Sequence, residues 1–94
     1  MKKFFYRVKE GDTLLSLARR FSVPFSLIIK KNNLHAEISV GDLLYIESPD
    51  CITYAVQPFD TAESVGKKFN VSPQKILLDN GVYYLFYGLI ICIE

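Results

Sequence analysis

Tyr6-Arg7-Val8-Lys9-Glu10-Gly11-Asp12-Thr13-Leu14-Leu15-Ser16-Leu17-Ala18-Arg19-Arg20-Phe21 is the stretch whose reading decides the fold. Phe4 to Val8 alternates, with Tyr6 and Val8 on one face, as a short strand does. Glu10-Gly11-Asp12 reads as a turn, and Asp12 or Thr13 can cap the helix that follows. Leu14, Leu17, Ala18 and Phe21 recur at i, i+3, i+4 and i+7, the apolar stripe of an amphipathic helix of about two turns. Ser16, Arg19 and Arg20 then fall on its outer face.

Further along the chain, Pro24 can occupy the first turn of a second helix that runs through Leu27, Ile28 and Ile29 to Asn32. After a polar connection, Gly41-Asp42-Leu43-Leu44-Tyr45-Ile46-Glu47 reads as a second strand, Leu44 and Ile46 inward, Leu43 and Tyr45 outward. The unit is therefore strand, helix, helix, strand. Its two strands must pair antiparallel under the helices for either layer to bury its apolar face.

The unit occurs twice. A shift of 48 positions lays Tyr6, Val8, Asp12, Thr13, Ser16, Phe21, Val23, Ile28 and Asn32 on Tyr54, Val56, Asp60, Thr61, Ser64, Phe69, Val71, Ile76 and Asn80. After Asn80 the register slips by one, and Gly41 to Glu47 lies on Gly88 to Glu94. Ser48-Pro49-Asp50 is turn-like and marks the boundary, which predicts one unit over residues 1–48 and another over 49–94. In the second, Ser72 is a good N-cap, Pro73 a good first helical residue and Asn80-Gly81 a good stop. The fold class is α+β: two tandem βααβ units, each with a two-stranded antiparallel sheet and two helices. Each is near the lower size limit for an independent core, so the two are expected to lean on each other.

Composition excludes much. The 94 residues carry 11 basic and 10 acidic side chains, net +1, which speaks against a nucleic-acid grip spread over the whole chain. No apolar run reaches the roughly 20 residues that span a bilayer. Arg7, Lys9, Glu10 and Asp12 interrupt the start before a signal-like apolar stretch forms. The sequence thus predicts a soluble chain without an export signal, cytoplasmic or associated with a spore or cell-wall layer. His35 is the one histidine and sits in a polar connection, so no catalytic residue is assigned. No metal site and no cofactor are expected. Eight basic residues, among them Lys2, Lys3, Arg19 and Arg20, lie in the first unit against five acidic ones, net +3. Such a cluster is ordinarily a solvated face, and it also suits an anionic polymer.

The run Tyr6-x-Val8-x-x-Gly11-Asp12-Thr13-Leu14-x-x-Leu17-Ala18-x-x-Phe21-x-Val23, followed by Ile28, Asn32, Leu34 and Gly41-Asp42-x-Leu44-x-Ile46, resembles the lysin motif (LysM) over nearly the whole first unit. The resemblance implies a βααβ fold and binding of N-acetylglucosamine polymers such as peptidoglycan and chitin. It places a shallow groove between the first strand–helix turn and the connection from second helix to second strand. By motif position the first lip is Gly11, Asp12, Thr13 and Leu14, and the second is Asn33, Leu34 and Ile38. Backbone groups of the lips can bond an N-acetyl amide, while Leu14, Leu34 and Ile38 cover its methyl and the sugar face. Asn32 is expected to bond at the helix end rather than to touch ligand.

The second unit departs from the family pattern. Gln57-Pro58-Phe59-Asp60-Thr61 replaces the turn, so the glycine is gone, and its groove is expected to be damaged. Gly81-Val82-Tyr83-Tyr84-Leu85-Phe86-Tyr87 replaces the connection. Tyr83, Tyr84, Phe86 and Tyr87 cannot all be buried in so small a module; they are expected to pack against the first unit or a second chain, in preference to stacking on sugar. Phe59 and Asp60 join them as secondary or interface candidates. Cys51 and Cys92 fall at neighbouring strand ends on the outer face and could form a cross-strand disulfide. In an unexported protein they are expected as free thiols.

Two functions compete at this level. One is non-catalytic binding of a GlcNAc-containing glycan, foremost bacterial peptidoglycan, through the first unit. The other is a protein–protein assembly module, for example a spore-layer or wall-associated scaffold, that self-associates through Tyr83 to Tyr87. Neither invokes nucleic acid or membrane.

Overall fold

The computed structural model describes residues 3–94; Met1 and Lys2, the latter counted in the basic cluster, lie outside them. The element order is β1 (Lys3–Arg7), α1 (Leu14–Phe21), α2 (Phe25–Asn32), β2 (Leu43–Glu47), β3 (Ile52–Ala55), α3 (Ala62–Phe69), α4 (Pro73–Asn80) and β4 (Ile90–Ile93). β1 pairs antiparallel with β2, Phe5 opposite Tyr45, and β3 pairs antiparallel with β4, Tyr54 opposite Ile91. The two βααβ units read from the repeat are therefore both formed.

Alternation decides which side of each strand is buried. Leu44 and Ile46 are buried while Leu43 is exposed, and Ile91 and Ile93 are buried beneath α3 and α4. One core gathers Val8, Leu14, Leu17, Ala18, Ile28, Ile38, Leu44 and Ile46; the other gathers Val56, Val65, Ile76, Leu85, Leu89, Ile91 and Ile93. Phe25 packs against both, so the units share a side chain at their seam.

The helix ends follow from their caps. Thr13 accepts from the backbone N–H of Ser16 at 3.1 Å, and Ser16 Oγ accepts from that of Thr13 at 2.9 Å, a reciprocal capping box. Thr61 and Ser64 repeat it for α3. Ser72 caps α4, with Pro73 as its first helical residue and Gly81 as its left-handed stop. Pro24 differs from the expectation by one step, standing before α2 rather than inside it.

In each unit one asparagine fastens the second helix to the last strand. Asn32 Nδ2 donates to Ile28 O and Tyr45 O, both at 2.9 Å, while its Oδ1 accepts from Tyr45 N at 2.7 Å. Asn80, 3% exposed, does the same with Ile76 O, Cys92 O and Cys92 N. A side chain with one acceptor and two donors meets one backbone N–H and two carbonyls, so no polar group is stranded.

The cysteines correct one expectation. Cys51 precedes β3 by one residue and is joined to Cys92 as a disulfide, Cα to Cα 5.7 Å. They are neighbours, as strand pairing required, but they are bonded rather than free.

Candidate functional site

The first lip is built by a Tyr–Asp bolt. Asp12 Oδ2 accepts from the Tyr6 hydroxyl at 2.6 Å and from Lys9 N at 2.9 Å, drawing the turn back onto β1. Asp12 is thus the closure of the turn and not the helix cap, a role that Thr13 alone fills. The Tyr6 hydrogen bond, then the Lys9 amide and the Arg20 guanidinium at 3.2 Å, hold the Asp12 carboxyl below its ordinary range. Arg20 also donates to Tyr6 Oη at 3.0 Å, completing a three-residue cluster behind the lip. Gly11 tops the turn at φ 89°, with nothing within 4 Å of where a Cβ would stand, so a ligand can come close to its backbone.

The second lip leaves α2 through Asn33, whose φ of 52° is the left-handed residue that ends the helix. Leu34 is half-buried and Ile38 is 9% exposed. Leu14, expected as an apolar contact, is also a core residue at 8% exposure. Of the expected lip residues, Leu14 and Ile38 are therefore buried, while Gly11, Thr13 and Asn33 are exposed.

Sequence reading missed the residue that links the lips. Glu37 Oε1 accepts from Leu14 N at 3.0 Å, across the groove, and from Ile38 N at 3.2 Å. It satisfies one of the free amides at the start of α1 from the opposite loop. Nothing in the local pattern marks Glu37, because its partner is 23 residues away.

The second unit keeps the same turn without the glycine, and a side chain now stands at its top. Phe59 stands where Gly11 stands in the first unit and adopts φ 69°, its ring fully exposed. Tyr54 donates to Asp60 Oδ2 at 2.5 Å and Gln57 N donates to it at 2.9 Å, so Asp60 reproduces the Asp12 bolt. Those contacts, the Tyr54 hydroxyl first, hold Asp60 below the usual carboxylate range as well. The opposite loop is one residue shorter and carries Tyr84 in the place of Glu37, so the carboxylate tie between lips is missing here.

Of the aromatic segment, Tyr83 (97%), Tyr84 (69%) and Tyr87 (63%) are exposed, Phe86 is half-buried and Leu85 enters the core. Tyr87 alone is tied to the first unit by a cation–π contact: the Arg19 guanidinium lies 5.8 Å from its ring centre. The same guanidinium donates to Tyr87 O at 3.1 Å and Gly88 O at 3.3 Å. A Cβ at Gly88 would collide with it, so this glycine makes room for the neighbouring unit.

Among the described residues no group of three His, Cys, Asp or Glu is placed to hold a metal ion, and no helix is long and apolar enough to cross a membrane.

Comparison with known proteins finds one family twice along the chain. The LysM domain family matches residues 6–47 and again residues 54–93. No curated protein sequence matches the chain. Among solved structures, the spore cortex-lytic enzyme SleL of Bacillus cereus aligns over 100% of this chain at 23% identity and a TM-score of 0.48. SleL of Bacillus megaterium QM B1551 aligns over 96% of it at 33% identity and a TM-score of 0.47. The chain spans only 23% and 22% of those two enzymes. With the family matched over both repeats, each a closed βααβ unit, the chain belongs to the LysM domain family.

Proposed function

We propose that the chain is a non-catalytic binding module for GlcNAc-containing glycans, foremost bacterial peptidoglycan, and that the first unit carries the contact. The observation that bears most weight is the open backbone at Gly11, on a loop that Glu37 ties to the loop beginning at exposed Asn33. Glu37 adds a polar anchor. Its Oε1 is taken by two amides, and among the described residues its Oε2 receives no hydrogen bond. That oxygen can accept from an N-acetyl N–H or a sugar hydroxyl, a charge-assisted contact. A shallow groove of this kind gives modest affinity, which repeated contacts along a polymer raise through effective concentration. The net +3 of the first unit suits an anionic wall polymer, and the site of action we infer is a spore or cell-wall layer.

Titration of the purified chain with chitin oligomers of increasing length, beside a pull-down with insoluble peptidoglycan, tests the reading. Gly11→Val should abolish binding while the fold survives, since Phe59 shows that this turn accepts a side chain. Undiminished binding by Gly11→Val would overturn the assignment to the first unit.

A second reading, a protein–protein assembly module, draws on the exposed Tyr83, Tyr84 and Phe59 of the second unit. It requires a solution mass above that of one chain, reduced to one chain by Tyr84→Ser.

A further inference from the structure

We propose that the cleft between the two units is an additional subsite for the same glycan, taking sugars beyond those held in the groove of the first unit. The inference rests on the glycan-binding reading above and extends it to a surface that neither unit forms alone.

The cleft has a volume of about 260 Å³. One wall is α1 of the first unit, with Thr13, Leu15 and Ser16; the other is the segment from Phe86 to Ile90 of the second. Three observations favour a sugar there. Thr13 belongs to the proposed first lip and also lines the cleft, so the two surfaces share a residue. The wall chemistry suits a pyranose ring, which has apolar C–H faces and a hydroxyl edge. Leu15, 44% exposed, and the half-buried Phe86 ring offer apolar cover. The Thr13 hydroxyl accepts from Ser16 N, and among the described residues its own O–H donates to nothing, so it can donate to a sugar oxygen. Finally, the walls are held before any ligand arrives. Arg19 spans them with two hydrogen bonds to backbone carbonyls, at 3.1 and 3.3 Å, so little ordering remains to be opposed on binding.

The test uses the full chain, chitin oligosaccharides from disaccharide to hexasaccharide, and two variants. Leu15→Ser alters an exposed helix position, so folding is not at stake; Phe86→Ala removes the opposite wall, with thermal unfolding recorded alongside. The expected result is that each variant weakens hexasaccharide binding about tenfold, or ~1.4 kcal/mol, and leaves disaccharide binding as it is. The backbone amide signals of Gly88 and Ile90 should shift with hexasaccharide and stay still with disaccharide. Equal weakening at every length, or none at any, in Leu15→Ser overturns the subsite while the groove assignment stands. Failure of the unaltered chain to bind any oligomer overturns the glycan reading itself, and the subsite with it.

Discussion

The two units have the same frame and different rims. Both have a Tyr–Asp bolt, a Thr–Ser capping box and an asparagine fastening helix to strand, with bond lengths that agree within 0.1 Å in most cases. They part company at the loops between strands and helices. Gly11 becomes Phe59 and Glu37 gives way to Tyr84. At the outer end of the sheet, the first unit gathers Lys31 at 3.2 Å and the Tyr45 hydroxyl at 2.7 Å on Glu47, whereas the second has the Cys51–Cys92 disulfide. The backbone groups met by the asparagines and the capping boxes select the same side chain in both units, while the amide that Glu37 meets in the first unit has no such partner in the second among the described residues. The first unit leaves the backbone open at Gly11, while the second exposes aromatic rings at Phe59, Tyr83 and Tyr84.

The largest test of this contrast is the disulfide. Its reduction, or Cys51→Ser with Cys92→Ser, should cost about 3–4 kcal/mol by the loop it closes. Hydrogen exchange should place the loss in the second unit. A loss spread evenly over both would mean that the units unfold as one body. Next comes Asn80→Ala, which strands buried backbone groups at Ile76 and Cys92 and should cost about 2–3 kcal/mol in urea unfolding. Asn32→Ala should cost less, because Asn32 is only half-buried and water can replace it.

Phe59→Gly probes the turn. It removes the penalty of a left-handed phenylalanine but loosens the unfolded chain, so a gain of about 0.5 kcal/mol is expected in thermal unfolding. A loss would show that the exposed ring makes a stabilising contact. The smallest effect is on acid stability. Asp12 and Asp60 are both held below their ordinary value of 3.8. Each therefore contributes stability that is complete above that value and is lost as pH falls through the lower folded one. Asp12→Asn and Asp60→Asn should flatten the acid limb of stability against pH below about 4. Salt should weaken the Asp12 contribution more, since Arg20 pairs with it and no ion pair to Asp60 is formed among the described residues.

The frame was readable because its cues are periodic or local. Leu14, Leu17 and Ala18 announce a buried helix face by spacing, and the 48-residue shift supplies a second copy that says the same. The rims were less readable because their contacts span the unit. Glu37 meets Leu14 N across 23 residues, and Arg19 meets carbonyls 68 and 69 residues away. Phe59 shows another limit. The absent glycine says nothing of how the turn is kept: the Asp60 bolt and the Thr61 cap hold phenylalanine at positive φ. The thiols were misjudged for a different reason: strand register says which cysteines meet, while their bonding depends on compartment.

Arg19 grips the second unit by carbonyl oxygens of Tyr87 and Gly88, groups that every residue type carries. The joint is therefore indifferent to most side chains of the loop it holds. Tyr83 and Tyr84, both exposed, can be exchanged without touching these bonds, whereas Leu85 is held by the core and position 88 must stay bare to admit Arg19. A tandem module joined this way can change what its second unit displays while the seam between the halves stays put.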